Sequence, residues 1–128
     1  MTIKMILVVD DSATERAFLE GLLKKNGYKV ITADSGEGAL ACASAEQPDL
    51  ILMDVVMPGL NGFQATRAIA REEKTRHIPV VICSSKGLET DRIWGLRQGA
   101  KEYFTKPLNE PQLLAAVRAL VRPAPVAA

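Results

Sequence analysis

The sequence predicts an α/β fold in which five parallel strands form one open, doubly wound sheet with five helices on its two faces. Short aliphatic runs alternate five times with longer segments of helical spacing, a pattern typical of a parallel sheet. The first, third and fourth runs are continuously apolar, as expected for strands that are buried on both faces. A chain of 128 residues is long enough to give one domain its own hydrophobic core.

The predicted elements follow one another in strict order. The strands are predicted at Met5–Val9, Lys29–Ala33, Leu50–Met53, Pro79–Cys83 and Glu102–Thr105. The helices are predicted at Thr14–Asn26, Gly36–Glu46, Gly62–Lys74, Glu89–Gln98 and Glu110–Val121.

The helices are predicted from apolar spacing and from stop signals. The first should end before Gly27, the second shortly before Pro48 and the fourth at Gly99. The apolar face of the first helix should consist of Phe18, Leu19, Leu22 and Leu23. That of the fifth should consist of Leu113, Leu114, Val117, Leu120 and Val121.

Composition excludes several classes of protein. The hydrophobic fraction of 48% and the charged fraction of 24% are those of a globular chain, and a net charge of +1 favours neither nucleic acid nor an anionic membrane as partner. No apolar run approaches the roughly 20 residues of a membrane span, and the start lacks a cleavable signal. Cys42, Cys83 and the single His77 lack metal-ligand spacing, so we expect reduced thiols in a cytoplasmic protein.

We expect one domain at residues 1–122 and a flexible tail at 123–128, with no attached DNA-binding or catalytic module.

Polar residues follow four of the five predicted strands. Asp10 and Asp11 follow the first, Asp54 the third, Ser84-Ser85 the fourth, and Lys106-Pro107 the fifth. In open α/β sheets, ligands bind beyond the carboxyl ends of the strands. These side chains are therefore predicted to share one rim of the sheet.

The chemistry of this set indicates a cation and an incoming anion. Three ionised carboxylates raise one another's pKa unless a cation lies among them, and Mg²⁺ suits a site of few carboxylates. Lys106 then remains free to meet a further anion, such as a phosphoryl group, to which Ser84 can donate a hydrogen bond. A carboxylate can itself act as the nucleophile and form an acyl phosphate.

Each residue taken alone also fits a structural role. Asp11 or Ser12 could cap the first helix, with Ser12 and Glu15 matching a capping box. Asp54 could be a turn residue, Ser84-Ser85 a cap for the fourth helix, and Lys106 a surface charge. Their joint placement at successive strand ends favours a functional site.

Four motifs, "VVDDS", "LILMDVVMPGLNG", "VVICSS" and "YFTKP", resemble those of response-regulator receiver domains, the flavodoxin-like fold of the chemotaxis regulators. The resemblance extends over essentially the whole chain and implies a sheet of strand order 2-1-3-4-5. It implies that Asp54 is the phosphoacceptor and that Lys106 contacts the phosphoryl group, with a cis peptide bond before Pro107. The Mg²⁺ ligands that it implies are Asp10, Asp11, Asp54 and the backbone carbonyl of Val56. The switch residues would be Ser84 and Tyr103.

The resemblance also implies a function. Such a single-domain, two-component regulator takes a phosphoryl group from a histidine kinase or a histidine phosphotransfer domain. Its only activities of its own are autophosphorylation and autodephosphorylation, so it is not an enzyme in the usual sense. Phosphorylation would alter the surface of the fourth helix, fifth strand and fifth helix, which binds an effector protein. We expect a cytoplasmic monomer that binds neither nucleic acid nor membrane.

A narrower resemblance concerns "MDVVMPGLNGFQATR" and "ETDRIWGLRQGAKEYFTKP", which are similar to stand-alone receivers of type IV pilus (twitching-motility) chemotaxis-like systems, the PilH type. Trp94 in the second stretch fits either a partner surface or the core. Val56 and Lys86 flank the expected path of water to the phosphoryl group. The sequence is compatible with three roles: a messenger, a phosphate sink for a shared kinase, and a docking module that is not phosphorylated.

The residues after the first strand argue against two other classes of α/β protein. A flavodoxin-like cofactor binder needs a phosphate-binding loop after the first strand, where Asp10 and Asp11 would repel a nucleotide. A phosphatase of the haloacid-dehalogenase type needs a D-x-D pattern there, whereas these acids are adjacent.

Overall fold

The computed structural model describes residues 4–123. The strands are β1 (Met5–Val9), β2 (Lys29–Ala33), β3 (Leu50–Met53), β4 (Val80–Ser84) and β5 (Glu102–Thr105). The helices are α1 (Ala13–Lys25), α2 (Gly36–Glu46), α3 (Gly62–Arg71), α4 (Glu89–Arg97) and α5 (Glu110–Leu120).

The strands form one parallel sheet in the order β2-β1-β3-β4-β5. The central strands β3 and β4 are buried along their whole length, and β1 is buried from its second residue onward. The edge strands β2 and β5 keep exposed or half-buried positions. The predicted fold class and strand order are confirmed.

Helices cover both faces of the sheet. On one face, α1 and α5 pack against alternate residues of the strands through Leu19, Leu23, Leu113 and Val117. On the other face, α2 and α3 pack through Ala39, Ala43, Ala65 and Ile69. A smaller cluster joins α4 to β4 and β5. Because helices pack against both faces of the sheet, the carboxyl ends of the strands form a rigid rim.

The bounds of two elements, β4 and α3, differ from the prediction for identifiable physical reasons. β4 begins at Val80, not Pro79, because the proline has no N–H for the ladder, although its carbonyl accepts from Ile51 at 3.0 Å. It ends at Ser84, one residue beyond the predicted Cys83. The helix α3 ends at Arg71, three residues before the predicted Lys74, because Glu72 adopts an extended conformation. The bounds of α1, α4 and α5 differ by one residue.

Three of the exposed apolar side chains bear on the predictions made from the sequence. Phe18 (46% exposed) and Leu120 (38% exposed) were expected on the buried faces of their helices, and this expectation was wrong. Phe18 lies beside the Leu19–Leu23 line of α1 rather than on it, and it borders a surface groove with Pro107 and Leu108. Trp94, for which two roles were open, is 49% exposed and therefore lies at the surface.

The structure describes only part of the two ends of the chain. Residues 1–3, and residues 124–128 of the expected tail, lie outside the described residues, so the boundary at 122 stays a prediction. Within residues 4–123, no helix has the length and apolar character needed to cross a bilayer.

Candidate functional site

Backbone hydrogen bonds at the strand ends bring the predicted side chains to one place. The Asp10 amide donates to Ala33 (3.2 Å), the Asp54 amide to Val9 (2.9 Å) and the Lys106 amide to Ser84 (2.8 Å). These bonds continue the parallel ladder one residue beyond each strand. The side chains of the rim thus stand on rigid backbone rather than on free loops.

Three carboxylates converge there. One oxygen from each of Asp10, Asp11 and Asp54 lies within 4.8 Å of the others. Asp10 is 2% and Asp54 7% exposed, whereas Asp11 is open to solvent. The site therefore has two buried acids and one acid at its mouth.

Lys106 supplies a positive charge to this cluster. Its Nζ donates to Asp10 Oδ2 at 2.9 Å and lies 3.5 Å from Asp54 Oδ1. Burial acts to lower the pKa of Lys106, but the hydrogen bond that the ammonium donates to Asp10 and the charges of Asp54 and Asp10 outweigh it and raise that pKa. Lys106 is therefore a cation throughout the physiological range. The Lys106–Pro107 peptide bond is cis, as the resemblance implied.

The charged form of the Asp54 carboxylate is disfavoured by its surroundings. Burial and then the charge of Asp10 raise its pKa from 3.8 to about 6, and Lys106 offsets only part of this. Because the site holds three acids and one ammonium, neutralising it requires further positive charge.

The donor set fits a hard divalent cation. Carboxylate oxygens within 4.8 Å of one another are the ligands that Mg²⁺ prefers, and the excess of negative charge would be relieved by it. Val56 follows Asp54 by two residues, and its side chain is 57% exposed. The assignment of its backbone carbonyl as a ligand stays a prediction.

The start of α1 has a capping function as well. Ser12 Oγ accepts from the amide of Glu15 at 3.3 Å, as an N-cap does. The reciprocal half of the predicted capping box is replaced, because the Ser12 amide donates to Asp10 Oδ1 at 2.9 Å. Asp10 is thereby oriented by Ser12 on one oxygen and by Lys106 on the other.

Ser84 and Tyr103 meet at Lys86, a contact that sequence reasoning did not identify. Ser84 is fully buried, and its Oγ accepts from the Lys86 amide at 3.1 Å. Tyr103 is 7% exposed, and its hydroxyl donates to the Lys86 carbonyl. Burial raises the pKa of the Tyr103 phenol, which keeps it a donor. The backbone of Lys86 thus joins the two predicted switch residues.

Gly62 is a second residue that sequence reasoning missed. A Cβ at Gly62 would lie 2.0 Å from the carbonyl oxygen of Asp54 and 2.7 Å from Val55 Cα. Its amide donates to the carbonyl of Val55 at 2.9 Å. Only glycine permits this close approach of α3 to the segment that carries Asp54. The available signal was the Asn61-Gly62 pair at the start of the helix, with Asn61 as its N-cap.

Comparison with known protein families matches residues 6–118 to the response regulator receiver domain. The chain belongs to this family. The receiver domain is 50% identical over 116 residues to the protein PilH of Pseudomonas aeruginosa PAO1, an alignment that covers 91% of this chain and 96% of PilH. The resemblance drawn from the sequence motifs is thereby confirmed.

Solved structures of related proteins have the same fold. The chemotaxis protein CheY4 of Vibrio cholerae is 29% identical, with a TM-score of 0.86 over 94% of this chain and 100% of CheY4. The receiver domain of a sensor histidine kinase from Pseudomonas aeruginosa PAO1 is 30% identical, with a TM-score of 0.85 over 93% of this chain and 98% of that one. That receiver domain was solved with a magnesium ion coordinated in its active site cleft.

Membership of the family establishes the general class of activity. Receiver domains are signalling proteins rather than classical enzymes, and phosphorylation and Mg²⁺ binding at an acidic pocket are general for them. Their general partners are a histidine kinase or phosphotransfer protein and a downstream effector. The cluster of Asp10, Asp11 and Asp54 is the acidic pocket of this receiver domain.

Proposed function

We propose that this chain is a single-domain response regulator whose Asp54 accepts a phosphoryl group in a Mg²⁺-dependent reaction. The observation that carries the proposal is the position of Asp54, within 4.8 Å of Asp10 and Asp11 and 3.5 Å from the ammonium of Lys106. A buried nucleophile between an acidic pocket and a fixed cation is what phosphoryl transfer to a carboxylate requires.

In the proposed reaction, an oxygen of Asp54 attacks the phosphorus of a phosphohistidine in a kinase or phosphotransfer domain. The new O–P bond forms as the P–N bond breaks, and the imidazole nitrogen keeps the electron pair. Asp10, Asp11, Asp54 and the Val56 carbonyl would hold Mg²⁺, which neutralises negative charge on the phosphoryl oxygens. Lys106 meets the same oxygens from the other side.

With a pKa of about 6, Asp54 is mainly a carboxylate at neutral pH and is able to attack. Small phosphodonors would support autophosphorylation. Attack of water on the aspartyl phosphate would release inorganic phosphate and restore the Asp54 carboxylate.

The switch would begin at Ser84 and Tyr103. The phosphoryl group adds a charge of about −1.5 to −2 and three acceptor oxygens, to which the Ser84 hydroxyl can donate. Because Ser84 and Tyr103 both bond to the backbone of Lys86, movement of Ser84 changes the loop that supports the Tyr103 ring. The surface of α4, β5 and α5 then differs between the two states and binds the effector.

We infer a place for this switch in chemotaxis-like control of type IV pilus motility. The inference draws support from the PilH-type stretches around α3 and α4 and from the near full-length identity of 50% with PilH. The protein would act in the cytoplasm as a monomer, between a histidine kinase and an effector. A phosphate sink for a shared kinase is the second candidate, because a receiver domain needs no output domain for that role. A docking module that is not phosphorylated is the third, and the complete acidic pocket argues against it.

A small phosphodonor tests the proposal without knowledge of the kinase. Wild-type protein incubated with acetyl phosphate and Mg²⁺ should acquire one phosphoryl group, and Asp54→Asn should acquire none. Asp34→Asn, at an exposed position outside the pocket, is the matched control and should be labelled like the wild type. Normal labelling of Asp54→Asn would remove Asp54 as the acceptor.

A further inference from the structure

The segment that follows Asp54 is held by a side chain from a different helix. Between β3 and α3, the amide of Leu60 donates a hydrogen bond of 2.7 Å to Glu37 Oε1 in the first turn of α2. The neighbouring Gly59 has a φ of +75°, and a Cβ there would lie 3.1 and 3.2 Å from the two oxygens of Glu37. The carboxylate therefore lies directly against the Gly59-Leu60 backbone.

The first turn of α2 holds Leu60 on a second side. A Cβ at Gly36 would lie 2.4 Å from the Leu60 carbonyl oxygen, so the backbones of the two residues touch. The Leu60 side chain packs against the apolar cluster that includes Ala39 and Met57. Leu60 is thus fixed by the Glu37 carboxylate, by the Gly36 backbone and by apolar packing.

The other end of the segment is fixed from α3. The Gly62 amide donates to the Val55 carbonyl, and Gly62 touches the carbonyl of Asp54. The segment from Asp54 to Leu60 consequently has two anchors, one at each end. The Glu37 anchor is the one whose removal leaves no cavity, because this side chain is exposed.

The orientation of the Glu37 carboxylate depends on its hydrogen bond to the backbone. Within residues 4–123, the salt bridges of the structure do not include its carboxylate. Its charge suits the N-terminal turn of α2, but that preference fixes no orientation. The short, charge-assisted bond to Leu60 is what orients the carboxylate toward the Asp54 segment.

We propose that Glu37 is a positioning residue for the cation site. By fixing Leu60 it holds residues 54–61 in the conformation in which Asp54, and the backbone that follows it, face Asp10 and Asp11. The proposal rests on the proposed function, since it assumes that this pocket binds Mg²⁺. Linkage adds a requirement: if the Glu37–Leu60 bond favours cation binding, cation binding must favour that bond by the same factor.

Three variants separate the hydrogen bond from the charge. Glu37→Ala removes both, whereas Glu37→Gln keeps an acceptor oxygen at the same distance from the backbone and removes only the charge. Glu46→Ala, at the exposed far end of the same helix, is the matched control. Calorimetric titration with MgCl₂ should give affinity about tenfold weaker in Glu37→Ala, the lower end of the effect of residues that support metal ligands. Glu37→Gln and Glu46→Ala should stay within about twofold of the wild type.

Hydrogen exchange at the Leu60 amide provides a readout independent of activity. Mg²⁺ should slow exchange of this amide in the wild type and in Glu37→Gln, and should have little effect on it in Glu37→Ala. A purely structural role would lower stability in Glu37→Ala but leave the Mg²⁺ affinity of the folded variant unchanged, and that result overturns the proposal. If wild-type protein and Glu46→Ala bind no Mg²⁺ at all, the proposed function fails and this inference fails with it.

Discussion

The ammonium of Lys106 donates a hydrogen bond to Asp10 at 2.9 Å and forms a longer ion pair with Asp54 at 3.5 Å. The closest partner of the lysine is therefore the buried acid opposite the proposed acceptor. Lys106 stabilises the pocket, yet its positive charge opposes the binding of a second cation beside Asp10 and Asp54. These two effects have opposite consequences for folding and for metal binding.

Lys106→Met should separate them. Without the ammonium, Asp10 is left buried with less compensation, and the free energy of unfolding should fall by about 1–3 kcal/mol in the absence of metal. Mg²⁺ should bind severalfold more tightly, because a competing positive charge is gone. Labelling by acetyl phosphate should slow about a hundredfold, since a cation at the phosphoryl oxygens is lost. Denaturant unfolding, MgCl₂ titration and initial labelling rates measure the three effects.

Lys101→Met is the control, because Lys101 is exposed in the loop between α4 and β5. It should match the wild type in all three measurements. Unchanged labelling in Lys106→Met would show that this lysine does not contact the transferred group.

The raised pKa of Asp54 predicts a pH-dependent cost to folding in metal-free protein. The pKa rises from 3.8 to about 6, so the folded state binds more protons between these values and stability falls as pH increases through them. Asp54→Asn removes this cost and should raise the free energy of unfolding by about 2 kcal/mol near pH 7. The gain should vanish toward about pH 4, where the carboxyl group is protonated in both states.

Urea unfolding of the wild type and Asp54→Asn across this pH range, with a chelator present, measures the difference. Asp34→Asn, at an exposed position, is the control and should give a nearly constant difference. A gain from Asp54→Asn that persists undiminished at the acid end would show that burial of the charged group is not its cause.

Gly95 in α4 provides space for the ring of Tyr103. A Cβ at Gly95 would lie 2.8 Å from Tyr103 Cδ2 and 3.0 Å from Ile82 Cδ1. Gly95→Ala should therefore displace the ring, break the hydrogen bond to Lys86 and reduce the free energy of unfolding by about 1–3 kcal/mol. NMR spectra of the Tyr103 ring together with urea unfolding provide the measurement.

Gly21→Ala is the matched substitution in another helix. A Cβ at Gly21 meets nothing within 4 Å, so this variant should gain about 0.5–1 kcal/mol from helix propensity. If Gly95→Ala behaved like Gly21→Ala, the ring of Tyr103 would not depend on the space at Gly95.

A phosphotransfer time course distinguishes a messenger from a phosphate sink. The phosphorylated cognate kinase is mixed with this protein and with the other regulators that it serves, and the label on each is followed. A sink takes the phosphoryl group quickly and depletes the other regulators, and Asp54→Asn abolishes that depletion. Slow uptake with no depletion would remove the sink hypothesis.

The sequence predicted the parts of the fold that depend on apolar pattern and turn residues. The bounds of β1, β2, β3 and β5 agree with the structure, because each run is delimited by charged or turn residues. The convergence of Asp10, Asp11, Asp54 and Lys106 was also predictable, since parallel strands bring their carboxyl ends to one rim.

Contacts that involve backbone groups were not predictable from the apolar pattern. The bonds that Ser84 and Tyr103 make to Lys86 involve its amide and carbonyl, which carry no residue-specific signal. The exposure of Phe18 depends on its angle around α1, where apolar spacing alone admits it to the buried face. The clash that a Cβ at position 62 would make with the Asp54 carbonyl is likewise apparent only once Asp54 and α3 are placed together.

Location of the phosphoryl group within the chain tests the central claim most directly. After reaction with acetyl phosphate and Mg²⁺, neutral hydroxylamine converts an aspartyl phosphate to a hydroxamate, whose position mass spectrometry of the peptides reveals. The account predicts a single modified residue, Asp54, and no modification when a chelator replaces Mg²⁺. Modification at another carboxylate, or a phosphoryl group that hydroxylamine does not remove, would contradict it.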